Sequence, residues 1–230
     1  NRISTAFDEN LLQHISSSLQ LGFSKTIIEE TNWNQLWESN FNPVIVDDFV
    51  AVRADFHDPI KKVELEIIIT PKMSFGTGHH ATTYMMMQQM REIDFSGKAV
   101  FDFGTGTGVL AILAEKLGAE TVLAIDNDSW SIENAAENIK RNCCTKIDLK
   151  LADTASTGDN FNIILANINK NVILDNFELM AKQLFTGGIL LLSGLLIEDK
   201  PDILSKAREL NLQLLKAGER HNWLFIKLSH

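Results

Sequence analysis

Between residues 99 and 210, short apolar runs alternate with amphipathic stretches, and this alternation restricts the fold more than any other feature of the chain. Ala99–Phe103 precedes a predicted helix over Thr107–Leu117 that Gly118 ends, and Thr121–Ile125 precedes one over Ser129–Arg141. Ile147–Leu151 leads through a loop at 152–160 to Phe161–Ala166, followed by a helix over Asn169–Leu184. Gly187-Gly188 opens Ile189–Ser193, and a helix over Glu198–Leu210 follows. Strands of five or six apolar residues joined by helices have to lie parallel and be covered on both faces. Two further runs, Leu212–Ala217 and Trp223–Leu228, face each other across Gly218–Asn222 as a hairpin, which forces one antiparallel strand at or near an edge. The expected fold is therefore α/β: a doubly wound, mostly parallel, Rossmann-like sheet of seven strands with an antiparallel C-terminal strand.

The first quarter of the chain reads differently. Asp8 stands at a helix-cap position, Leu11, Leu12, Ile15 and Leu19 recur at helical spacing, and Gly22 supplies a stop. Lys25–Glu30 and Val44–Arg53 are expected as short strands, with Trp33 and Trp37 on one helix face between them. This is too little for a core of its own, so residues 1–55 are expected to form a small α+β appendage and residues 56–230 the main domain. From Val63 to Ile69 apolar residues alternate with Glu64, Glu66 and Ile68 as in a strand, and Thr70-Pro71 ends it.

Charge and composition narrow the function classes. The net charge is −9, of which residues 1–60 carry −6. A nucleic-acid substrate would call for a lysine and arginine stripe along its phosphates, so none is expected; the acidity suits a basic partner or is a solvated surface. The longest nearly apolar stretch, Gly187–Ile197, has 11 residues, whereas a membrane span needs about 20. The polar opening lacks the apolar region of a signal peptide, and the two adjacent cysteines, Cys143 and Cys144, make neither a structural disulfide nor a zinc site. A cytoplasmic protein without membrane contact is expected.

The chemistry concentrates at Phe101-Asp102-Phe103-Gly104-Thr105-Gly106-Thr107-Gly108, between a strand and a helix. Glycines there let the chain turn tightly and let a ligand approach main-chain N–H groups. A dinucleotide fingerprint would place its third glycine at 109, which is Val109, while Gly108 arrives one residue early. The spacing suits the glycine loop of methyltransferases that use S-adenosylmethionine, and places Gly104 and Gly106 against the cofactor. Asp126 ends the next strand, where a carboxylate accepts hydrogen bonds from ribose hydroxyls. Its other reading is a helix cap, a role for which Asp128 or Ser129 is better placed. Asp153 follows the third strand and serves either an adenine contact or a turn. Asn167, at the C-terminal end of the fourth strand, is the candidate acceptor for a substrate amine, and no strong base stands out. The prolines of the Asn-Pro-Pro-aromatic pattern, associated with planar amide and base nitrogens, are absent from Asn167-Ile168-Asn169-Lys170. Adjacent His79 and His80 lack metal-pair spacing and are expected to shape their loop; Met85–Met87 either fill core or line a cofactor pocket.

Pro71 to Thr83, with its Phe75-Gly76-Thr77-Gly78-His79-His80 segment, together with the glycine loop, Ala124–Asp128 and Leu165–Ile168, resembles the successive motifs of the PrmA family. These methyltransferases modify amino groups on the eleventh protein of the large ribosomal subunit. The resemblance covers about Asn32 to the C-terminus. It implies that Thr83, Gly104, Asp126 and Asn167 bind S-adenosylmethionine, that Phe75 and its loop close over it, and that the partner is a basic ribosomal protein. Family members carry an N-terminal substrate-recognition domain and linker. Residues 1–55 are short for that, and with Asn1 rather than Met at the start, either a first part is missing or this branch has a reduced version. The rival readings are a methyltransferase of another protein or a small amine, a nicotinamide-dependent oxidoreductase, and a non-catalytic cofactor-binding module.

Overall fold

The computed structural model describes residues 9–19, 41–70 and 76–230, and two compact units divide the chain, Asn1–Ser39 and Asn40–His230. In the first unit the described element is helix α1, Glu9–Leu19, as its apolar spacing predicts. The strand expected at Lys25–Glu30, the pair Trp33 and Trp37, and Phe75 lie outside the described residues.

The second unit holds two sheets. Val44–Arg53 forms two strands rather than one, β1 (Val44–Val46) and β2 (Val50–Ala54), because Asp47 at φ 51° turns the chain between them. They pair antiparallel, and β2 pairs parallel with β3 (Leu65–Ile69), with Val50 opposite Leu65. An expected boundary at residues 55 and 56 thus falls inside a three-stranded sheet, and β1 and β2 belong to the larger unit. Arg53 clamps the β2–β3 crossover: it is 6% exposed, its Nε donates to Glu66 Oε1 at 3.0 Å, and its Nη1 donates to His57 O at 2.9 Å.

The large sheet comprises β4 (Ala99–Phe103), β5 (Thr121–Asp126), β6 (Ile147–Leu151), β7 (Phe161–Asn167), β8 (Leu184–Leu196), β9 (Gln213–Arg220) and β10 (Trp223–Ser229). Their order is β6-β5-β4-β7-β8-β10-β9, and β10 alone runs against the others. Successive residues of a strand point to opposite faces. Accordingly Val100, Ile163 and Leu165 join one core with α2 (Ala81–Met90) and α3 (Val109–Lys116). Phe101, Ile164 and Ala166 join the other with α5 (Lys170–Gln183) and α6 (Lys200–Glu209). The doubly wound expectation holds. Met85, Met86 and Met87 are buried in the first core, so the methionine run is packing.

Boundaries differ where local geometry intervenes. β8 begins at Leu184, before Gly187-Gly188, because Leu184 already pairs with Phe161. A turn of 3-10 helix, Ile197–Asp199, precedes α6. The hairpin turn shrinks to His221 and Asn222, both in the left-handed region at φ 49° and 70°, the requirement of a two-residue turn that follows strand twist. Gly218 lies inside β9, where a Cβ would sit 2.5 Å from the Phe225 ring.

Helix α4 (Ser129–Arg141) and its C-cap Asn142 tie β3 to the glycine loop through asparagines spaced four apart. Asn142 Nδ2 donates to Ile68 O at 2.6 Å while its Oδ1 accepts Ile68 N–H at 3.0 Å. Asn138 accepts Thr70 N–H at 2.8 Å and donates to Thr107 O at 2.9 Å. Side-chain amides thus satisfy the free edge of β3, which would otherwise carry orphaned backbone groups. Asn134, on the same helix face one turn earlier, is fully buried with both amide atoms unpartnered among the described residues. Among the described residues no helix is long and apolar enough to cross a membrane.

Candidate active site

Ligands of doubly wound sheets bind beyond the carboxyl ends of the parallel strands, and a cavity of about 450 Å³ lies there. Gly104 and Gly106 follow β4, Asp126 ends β5, Asp153 follows β6 and Asn167 ends β7; all five line it. Gly194, the N-cap His80 of α2 and Trp223 at the start of β10 also line it.

The glycine loop is shaped by necessity. Gly104 has φ +79°, and a Cβ on it would meet Ile168 Cγ2 at 2.2 Å. Gly194 has φ +80°, and a Cβ there would meet Ile168 O at 2.3 Å. The Asn167–Ile168 segment is therefore lodged between two positions that admit glycine only. Gly104 and Thr105 donate their N–H groups to Ile125 O, both at 2.9 Å, and Gly106 N–H donates to Asp126 Oδ2 at 2.8 Å. Asp126 Oδ1 accepts Asp128 N–H at 3.0 Å, so the carboxylate is held by two backbone donors and faces the cavity. Asp128 caps α4, accepting from Trp130 and Ser131 N–H, so Asp126 is left for the site.

Asn167 is 8% exposed. Its Nδ2 donates to Thr83 Oγ1 at 3.1 Å, while its Oδ1 is buried with no hydrogen-bond partner among the described residues. Thr83 itself is buried and lines a small cleft with Gly76, Gly104 and Asn167 rather than the main cavity. Thr107 Oγ1 donates to Gly76 O at 2.8 Å, joining the segment after residue 75 to the glycine loop. Each histidine shapes its surroundings. His79 Nε2 lies 2.8 Å from Asn42 O, and His80 Nδ1 accepts Thr82 N–H at 3.4 Å while its ring meets Trp223 edge-on at 4.5 Å. Burial holds the His80 pKa below its usual value.

Sequence reasoning passed over Asp102 and Trp223 and read His80 only as a residue that shapes its loop. Asp102 is fully buried, accepts Thr105 Oγ1–H at 2.6 Å, and has its pKa pushed up to about 7 by burial first and by the charge of Asp126. A carboxylate inside the run Ala-Val-Phe-Asp-Phe, directly before the loop, is the signal that marks it. His80 and Trp223 reach the cavity through topology, and nothing local in the sequence assigns them there.

The chain has known relatives. The family model of ribosomal protein L11 methyltransferase (PrmA) matches residues 4–230. The chain belongs to the PrmA family. The match extends the resemblance toward the N-terminus from the expected start near Asn32. The ribosomal protein L11 methyltransferase of Porphyromonas gingivalis is 43% identical over 90% of this chain and 72% of its own length. That of Phocaeicola vulgatus is 38% identical over 97% and 82%. The crystal structure of ribosomal protein L11 methylase from Lactobacillus delbrueckii subsp. bulgaricus superposes with a TM-score of 0.77, 28% identity, over 83% of this chain and 99% of that one. Membership of the PrmA family excludes the nicotinamide-dependent rival and makes this chain a methyltransferase.

Proposed function

We propose that the protein transfers methyl groups from S-adenosylmethionine to amino groups, lysine side chains or the N-terminal amine, of ribosomal protein L11. The unpartnered Asn167 Oδ1 carries this reading. It is a buried acceptor at the strand end beside the glycine loop, and a buried polar atom without a partner is costly unless a ligand supplies the donor.

The residues fit the cofactor. Asp126 would take the ribose hydroxyls, Asp153 would meet a base edge, and Gly104 and Gly106, whose N–H groups are already engaged within the protein, would admit the amino-acid end by lacking a Cβ. When bound, the cofactor supplies an electrophilic methyl group. The chain's own part is to present the amine. Thr83 fixes the Asn167 amide by occupying Nδ2, which leaves Oδ1 to accept an amine N–H and aim the nitrogen lone pair. A neutral lysine amine at pH 7 costs about 4–5 kcal/mol from a pKa of ~10.4, an N-terminal amine only about 1. Enclosure within the cavity favours the neutral amine over the ammonium and excludes water. Burial lowers the His80 pKa and so disfavours a cation beside the amine.

The acidic first unit, Asn1–Ser39, is the element we assign to recognition of the basic partner, narrowed from residues 1–55 because β1 and β2 belong to the larger unit. A cytoplasmic location follows from a ribosomal substrate.

Mass spectrometry of L11 incubated with the protein and S-adenosylmethionine tests the reading: increments of one or more methyl groups are expected, and an unmodified L11 would overturn it. Asn167→Ala should lower kcat about 100-fold, the usual cost of removing one positioned polar group from a reaction site, with cofactor affinity changed far less. Unaltered kcat would remove Asn167 from the amine.

A further inference from the structure

Apart from the reaction cavity, a groove of about 520 Å³ lies between the C-terminal half of α2 and edge strand β9. Gln88 and Gln89 form one wall, and Lys216, Gly218 and Arg220 line the β9 side. Gln89 is 4% exposed, and its Oε1 is buried with no hydrogen-bond partner among the described residues. An acceptor in that position calls for an N–H or O–H donor from a ligand.

Glu219 apart, the charges around the groove are already engaged. Glu92 accepts from Lys216 at 2.7 Å and from Lys227 at 3.3 Å; Arg91 donates to Asp48 and Glu64, both at 2.6 Å. Asp47 accepts Gln88 Nε2–H at 2.9 Å and Tyr84 O–H at 3.4 Å, and the Arg220 guanidinium lies 3.9 Å over the Tyr84 ring. The buried group left unmet is a neutral amide oxygen, Gln89 Oε1, and a peptide N–H is a donor that meets it without adding a buried charge.

The groove also leads to the reaction cavity. Arg220 faces Trp223 across the hairpin, and Trp223 lines that cavity. His80 caps the start of α2, and Gln89 follows nine residues later, roughly 13 Å along the axis at 1.5 Å per residue. About four residues of extended chain cover that distance.

We propose that this groove holds an extended main-chain segment of the protein substrate, flanking the methylated amine, with one peptide N–H donating to Gln89 Oε1. This rests on the protein-amine reading given above. Gln89→Met keeps the side-chain length and removes the acceptor, leaving no orphan behind. The variant should raise KM for L11 about five-fold, in line with a lost neutral hydrogen bond, with kcat and S-adenosylmethionine affinity unchanged. An unchanged KM would mean that Oε1 holds only water and would overturn the subsite. In the parent protein, L11 added with S-adenosylhomocysteine should slow amide exchange in the last turns of α2 and in β9; no protection there overturns the inference whether or not the variant folds. If the parent methylates L11 while both signatures are missing, only the subsite falls. If the parent leaves L11 unmodified, the proposed reaction falls and the subsite with it.

Discussion

The two halves of the cavity, the one we assign to the cofactor and the one we assign to the substrate amine, are built by different means. On the cofactor side, Gly104, Gly106 and Asp126 lie within 22 residues of one another, and the loop's shape follows from positive φ values and short backbone hydrogen bonds. On the acceptor side, Asn167 and Thr83 are 84 residues apart and meet only because α2 packs on the end of β7, while Trp223 arrives from the hairpin. A locally enforced half should fail sterically and completely. An assembled half should lose alignment while binding survives.

The largest effect is expected where the halves touch. Gly104→Val would force a branched side chain into the left-handed region and onto Ile168 Cγ2. Stability should fall by about 2–4 kcal/mol from strain and overpacking, and calorimetry should detect no cofactor binding. Because Ile168 follows Asn167, this substitution also disturbs the acceptor side. Parental affinity in a folded Gly104→Val would show that the loop does not bear the cofactor.

Next in size is Asp126→Ala. Loss of hydrogen bonds to a charged group should weaken S-adenosylmethionine by about 1.5–3 kcal/mol, roughly 10- to 150-fold. An unaltered dissociation constant would take Asp126 out of the site, and the contrast with Asn167→Ala, which should strike kcat instead, would vanish.

The same division explains what could be read from the sequence. Strand and helix alternation, the glycine loop and Asp126 are properties of adjacent residues, so period and spacing reveal them. Asn167 was legible because a strand end is recognisable in a parallel sheet. Thr83 was expected against the cofactor through family resemblance; its hydroxyl accepts from the Asn167 amide, a contact across 84 residues that spacing does not announce. The partition at residue 55 failed for a related reason. Nothing near β1 and β2 announces that β3 pairs with β2, or that Asn138 and Asn142, more than 65 residues away, satisfy the edge of β3.

That long-range clamp supplies a third test. Asn138→Ala would leave Thr70 N–H and Thr107 O without their partner, at a cost of about 1–3 kcal/mol. Asn134→Leu removes an amide that has no partners among the described residues and should be neutral or stabilising. Urea unfolding compares them, and equal losses would show that position along α4, rather than bonding, sets the cost.

The effect that vanishes at low pH belongs to Asp102, which sits behind the locally built half. Its folded pKa of about 7 lies above the unfolded carboxylate value of ~3.9. Below that unfolded value both states are protonated, and Asp102→Asn should then differ little from the parent. As pH rises toward 7 the unfolded chain releases a proton that the folded chain retains, so the parent loses stability through this window while the amide does not. Above about 7 the difference becomes constant, with Asp102→Asn the more stable. A cation bound at the glycine loop would favour the ionised Asp102, and S-adenosylmethionine carries such charge. Cofactor affinity of the parent should therefore strengthen between pH 6 and 8 relative to that of Asp102→Asn. Thermal melts and calorimetry across that range measure both trends. Parallel stability profiles would show that Asp102 is ionised throughout. Parallel affinity profiles alongside divergent melts would confine its charge to the core beneath the loop.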